Sequence, residues 1–139
     1  MKRTKMAKAG WTQIDSTPPL GLPMGGRGPR FSPGTEVIDR LVAQAVVLED
    51  AKGAQTLWIS IDMIGMAWPQ TSGIRQELSA MTGIPFDAIV INFSHTHSGP
   101  VTGEVLRPAY PMNETHMRTV HKYTSWVLDE IVTVIGKSI

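Results

Sequence analysis

Ile89-Val90-Ile91-Asn92-Phe93-Ser94-His95-Thr96-His97-Ser98-Gly99-Pro100 is the stretch that decides how the rest of the chain is read. β-Branched and aromatic residues suit a pleated, half-buried surface, so the segment 88–94 predicts a strand. Two histidines one residue apart follow, and Gly99-Pro100 then breaks the run. On an extended chain such neighbours point to opposite faces. If the backbone turns at the strand end, both rings can approach one centre at the mouth of a sheet. Neutral imidazole is a common zinc ligand, and one ring can bind metal while the other orients a substrate. Ser94, Thr96 and Ser98 add small hydrogen-bonding groups around the pair. The competing reading is two surface or satisfied-core histidines, since unrelated folds carry His-x-His as well.

Working outward, Ile74, Leu78 and Met81 recur at spacings of four and three behind Pro69, and Thr82-Gly83 follows, which predicts a helix over 69–81. Segments 40–49 and 54–62 alternate as strands around Asp50-Ala51-Lys52-Gly53, a likeness to a hairpin. Leu41, Ala43, Ala45 and Val47 share one face of the first; Val42, Val46 and Leu48 share the other with Gln44. Apolar residues on both faces predict a central strand covered on both sides. Asp62 falls at a strand end, where a carboxylate can reach a site. Strand, helix and strand in that order favour a parallel pair. Segment 9–15 alternates weakly and is read as a short strand. Segment 16–33 holds five prolines and four glycines, so it is an irregular loop; its 18 residues exceed what a plain connection needs and suggest binding. After a loop over 101–111, Asn113 suits the cap of a last helix over 114–136, with Val120, Tyr123, Val127, Ile131 and Val134 on one face. The expected class is α/β or α+β: one domain over 1–139, a mixed sheet with flanking helices.

Composition removes several function classes. Of 139 residues, 42% are hydrophobic and 18% charged, a globular rather than a disordered balance. A formal net charge of +1 gives no field that points to nucleic acid. Lys2, Arg3, Lys5 and Lys8 form a small basic cluster, read as a solvated tail. The absence of cysteine excludes disulfides and thiolate metal sites. No run approaches the roughly 18 apolar residues that span a bilayer. No export signal is visible, so the sequence leaves the compartment open. Gly-x-Ser-x-Gly and the full phosphate-binding pattern Gly-x-x-x-x-Gly-Lys-Ser/Thr are absent, and Gly25-Gly26-Arg27-Gly28 follows no strong strand, so a phosphate loop is disfavoured. His116 and His121, five apart on a predicted helix, do not share a face and read as solvated.

Ser94-His95-Thr96-His97-Ser98-Gly99-Pro100 resembles the Thr-His-Thr-His-Ser-Gly-Pro signature of the neutral/alkaline, non-lysosomal ceramidases. Upstream segments agree in order: Asp15-Ser16-Thr17-Pro18 with Met24-Gly25, the strand Leu41 to Glu49, and Trp58-Ile59-Ser60-Ile61-Asp62. The resemblance implies a zinc-dependent amidohydrolase of sphingolipid metabolism that cleaves the N-acyl bond of ceramide or a related lipid amide. It implies zinc as cofactor, His95 as a metal ligand, His97 as a catalytic neighbour contacting the substrate amide, and Gly25 as backbone close to substrate. Asp62 would be a carboxylate behind the metal. Family members are often secreted or membrane-associated, which implies a peripheral membrane surface as a partner. In the family a second zinc histidine, glutamate and tyrosine ligands and a serine nucleophile lie further along the chain. The expectation is therefore the N-terminal part of a larger catalytic domain, inactive alone. The alternatives are a metallohydrolase of another amide or ester, and a non-catalytic binding domain on the same scaffold. Pro33 to Asp39, Gln44 and Val101-Thr102-Gly103 depart from the family pattern.

Overall fold

A computed structural model describes residues 6–26, 33–105 and 107–139, the side chain of Arg107 excepted. Four strands form one mixed sheet in the order β1-β2-β3-β4: β1 Lys8–Asp15, β2 Val42–Glu49, β3 Gln55–Ile61 and β4 Ile89–Phe93. β1 and β2 pair antiparallel, as do β2 and β3 across the Asp50–Gly53 turn. Asp50 builds that turn, its carboxylate accepting from the N–H of Lys52 and of Ala54. β4 runs parallel to β3, with Leu57 opposite Ile89 and Ile61 opposite Phe93. Parallel neighbours need a crossover, and α1, Trp68–Thr82, supplies it. Gln70 accepts from the Ala67 N–H at the start of α1, and Gly83 ends it in the left-handed region (φ 78°). The second helix, α2, spans Glu114–Ser138, and the Asn113 side chain caps it by accepting from His116 N–H at 2.9 Å. The α+β class and mixed sheet are as the sequence predicts. The basic cluster, except Lys8, and the Arg27-Gly28 part of the glycine run lie outside the described residues; Lys8 belongs to β1 and pairs with Glu49 at 2.8 Å.

Alternation decides the layering. Ala43 and Ala45 of β2, Leu57, Ile59 and Ile61 of β3 and Ile89 of β4 turn one way and are buried. Against them pack Ile74 and Leu78 of α1 and Tyr123, Val127, Ile131 and Ile135 of α2. Burial of each leucine, isoleucine and valine among them stabilises by about 1.5–3 kcal/mol, so this one layer is where the fold is held. The opposite face corrects the expectation for β2. Trp11, Val46 and Trp58 lie opposite one another and are 72%, 38% and 51% exposed, and Leu48 is 44% exposed. Apolar residues on both faces of β2 read as double burial, yet both helices cover the same side. Beside that apolar row runs a polar one, Gln13, Gln44, Ser60 and Asn92, linked by Gln44–Gln13 and Asn92–Ser60 side-chain hydrogen bonds. Among the described residues no helix is long and apolar enough to cross a membrane.

Candidate functional site

The backbone turns where the His-x-His reading needs it to. Ser94 N–H still donates to Ile61 O at 3.0 Å, and the next residue, His95, adopts φ 57°. Among the described residues it is the only non-glycine with positive φ, a conformation that L-residues adopt at a cost. The turn ends the alternation, and the His95 and His97 rings stand 5.2 Å apart, centroid to centroid, inclined at 62°. Nδ1 of His95 lies 2.8 Å from Ile64 O. A carbonyl oxygen only accepts, so Nδ1 carries the proton and the Nε2 lone pair of the neutral ring is left for another partner. This is the arrangement by which a backbone carbonyl orients a metal-binding imidazole. The loop then closes on itself: Ser98 N–H donates to Thr96 Oγ1 at 3.2 Å.

The Pro/Gly-rich loop lies against this turn. Gly25 N–H donates to Gly99 O at 2.9 Å, Val101 N–H donates to Pro23 O at 3.0 Å, and Met24 bridges Pro100. Gly26 N–H donates to the Tyr110 hydroxyl oxygen at 2.6 Å. Gly26 has φ 97°, and a Cβ there would stand 2.6 Å from His97 Cα. Between this loop and the histidine turn opens a cavity of about 590 Å³. Pro18, Pro19, Leu20, Met24, Val37, Ile38 and Leu41 give it apolar walls; Thr17, Glu36, Asp39, Thr96, His97 and Ser98 add polar groups, and Gly25 contributes backbone. An apolar cavity with a few polar groups is the usual form of a small-molecule site.

Gly25 and His97 thus meet on one cavity, with the His95 ring beside that of His97. Asp62 ties the ends of β2 and β3: its carboxylate accepts from Val42 N–H at 3.1 Å while its own N–H donates to Val42 O. His121, read from sequence as solvated, has Nε2 3.6 Å from Glu104 Oε1, both half exposed. Two participants escape a sequence reading. Gly26 is visible only as one glycine among several, and Tyr110 contacts it across 84 positions with no local signal.

The described residues hold no group of three or more His, Cys, Asp or Glu placed to bind a metal ion. Zinc takes four ligands in structural sites and three protein ligands in catalytic ones, so these residues fit one part of a zinc centre and not the whole.

No family model and no curated protein matches the chain. Among solved structures it is similar to one described as "Ceramidase complexed with C2", at 20% identity and a TM-score of 0.66 over 96% of this chain. The chain spans about a fifth (20%) of that structure's length. At this identity the likeness is one of fold: the chain has a ceramidase-like fold.

Proposed function

We propose that this chain forms the histidine-bearing part of an amidohydrolase site of the ceramidase type, acting on a lipid amide. The observation that carries the reading is His95: a strained left-handed turn whose imidazole is fixed by Ile64 O, with Nε2 unpartnered among the described residues, beside a second histidine on an apolar-walled cavity. Strain at a non-glycine residue persists where the surroundings enforce it, and functional sites are where it collects. The ceramidase-like fold adds support.

In this reading His95 supplies one zinc ligand through Nε2, and the remaining ligands come from polypeptide other than the described residues. Bound zinc would polarise the amide carbonyl and acidify a water molecule. This chain's own work is positional. The apolar walls take hydrocarbon, His97 meets the amide as a hydrogen-bonding partner, and Gly25 lets the backbone approach. The test is zinc content and hydrolysis of a short-chain N-acyl sphingosine by the 139-residue chain and by the longest product of its gene. The longer product is expected to hold zinc and turn over substrate, and His95→Ala to lose both; the 139-residue chain is expected to do neither. Equal zinc in wild type and His95→Ala would remove the ligand assignment. A product that retains the cavity and binds lipid amide without turnover would favour the binding-domain reading.

A further inference from the structure

We propose that Tyr110 is a positioning residue for His97, acting through the backbone of Gly26. Its consequence for catalysis, though not its geometry, rests on the amidohydrolase reading of His97.

Tyr110 is buried, and its ring packs with Val101 and Val120 in a small apolar cluster apart from the main core. The segment that leads to it is anchored at its start: Thr102 Oγ1 donates to Gly65 O at 2.7 Å, and Gly103 N–H donates to Thr124 Oγ1 of α2 at 3.0 Å. Packed on Val101 and Val120, Tyr110 accepts through its hydroxyl oxygen from Gly26 N–H at 2.6 Å. Gly26 in turn has no room for even a methyl group, since a Cβ would stand 2.6–2.7 Å from His97 Cα, Cβ and Cγ. The order of contact is therefore α2, Tyr110, Gly26, His97. A hydroxyl that places Gly26 also places the root of the His97 side chain. His95 is held by a different contact, Ile64 O. The two histidines thus have different immediate contacts, His95 the Ile64 carbonyl and His97 the Gly26 backbone that Tyr110 holds.

Tyr110→Phe keeps the ring and removes only the acceptor. In the 139-residue chain, hydrogen exchange at Gly26 N–H is expected to quicken by about tenfold, the loss of one hydrogen bond to a part-buried donor. The His97 ring resonances should shift, while amides of β3 and β4 keep their rates and His95 keeps its Nδ1-protonated form. Gly26→Ala, pressing on His97 from the other side, should move the same His97 resonances. Unchanged His97 signals in a folded Tyr110→Phe protein, or protection lost uniformly through the sheet, would overturn the assignment and leave Tyr110 a packing residue. A 3-fluorotyrosine at position 110 covers the case of an unfolded Phe variant: ionising the phenol must move the Gly26 and His97 signals, and their silence would also overturn it. In any preparation that hydrolyses an N-acyl sphingosine, Tyr110→Phe should lower kcat more than it raises KM. With no hydrolysis in any preparation, the amidohydrolase reading fails while the NMR result still decides Tyr110.

Discussion

One methyl group separates Gly25 from Gly26. A Cβ on Gly25 would meet its nearest neighbours at 3.6–3.8 Å, ordinary van der Waals contact; on Gly26 it would collide with the backbone of His97. Gly25→Ala is expected to change stability by less than about 1 kcal/mol, and Gly26→Ala to lower it by about 2–4 kcal/mol through the positive φ and the overlap together. Urea unfolding of both variants checks the contrast. His95 offers a second backbone test. His95→Ala and His95→Gly lose the same imidazole and the same bond to Ile64, so their difference isolates φ 57°. Gly should be the more stable of the two by about 1 kcal/mol, the reverse of the order in a strand interior. At this scale the sequence singles out His95, His97 and Gly25, because two short motifs carry them, and the fold sets Gly25 and His97 on one cavity. It conceals Gly26 and Tyr110, whose roles exist only once residues 84 apart are brought together.

Strands and helices were legible where a period could be counted. The predicted helices over 69–81 and 114–136 extend by one or two residues at each end or at one end only, and the Asn113 cap lies where its side chain implies. The failure at β2 has a physical source: periodicity reports which residues are apolar, not how many layers exist to cover them. Two contacts between elements give stability a pH dependence. Asp15, at the end of β1, is held below the ordinary carboxylate range first by hydrogen bonding from Thr17 and then by Arg40. A depressed carboxylate stabilises the fold above its unfolded pKa and loses that contribution as pH falls, here from roughly pH 4 downward. Tyr123 of α2 donates to Ser16 O at 2.5 Å, and burial, then the nearby Asp15 charge, push its phenol well above the usual value. A raised phenol stabilises below its unfolded pKa and loses that contribution as pH rises above roughly 10. Denaturation midpoints across pH should fall at both ends, the acid limb shrinking in Asp15→Asn and the alkaline limb in Tyr123→Phe.

Taken as a whole, the molecule has one finished side and one open one. The helices bury a single face of the sheet, and the row Trp11, Val46 and Trp58 faces outward. An apolar stripe of this kind favours association. The 139-residue chain is expected to self-associate with rising concentration, and Trp58→Glu to shift light-scattering mass toward the monomer. Sequence could not announce this, since apolar residues on both faces of β2 read alike whether the second face is covered or left open. The same stripe carries an optical consequence. All four tryptophans, Trp11, Trp58, Trp68 and Trp126, are exposed in the folded chain. Folded protein should therefore fluoresce at wavelengths close to those of indole in water, and unfolding should move the emission maximum little. Anything that settles on the open face will enclose Trp11 and Trp58 together and draw the emission to the blue, so the chain carries its own dye for the surface it leaves bare.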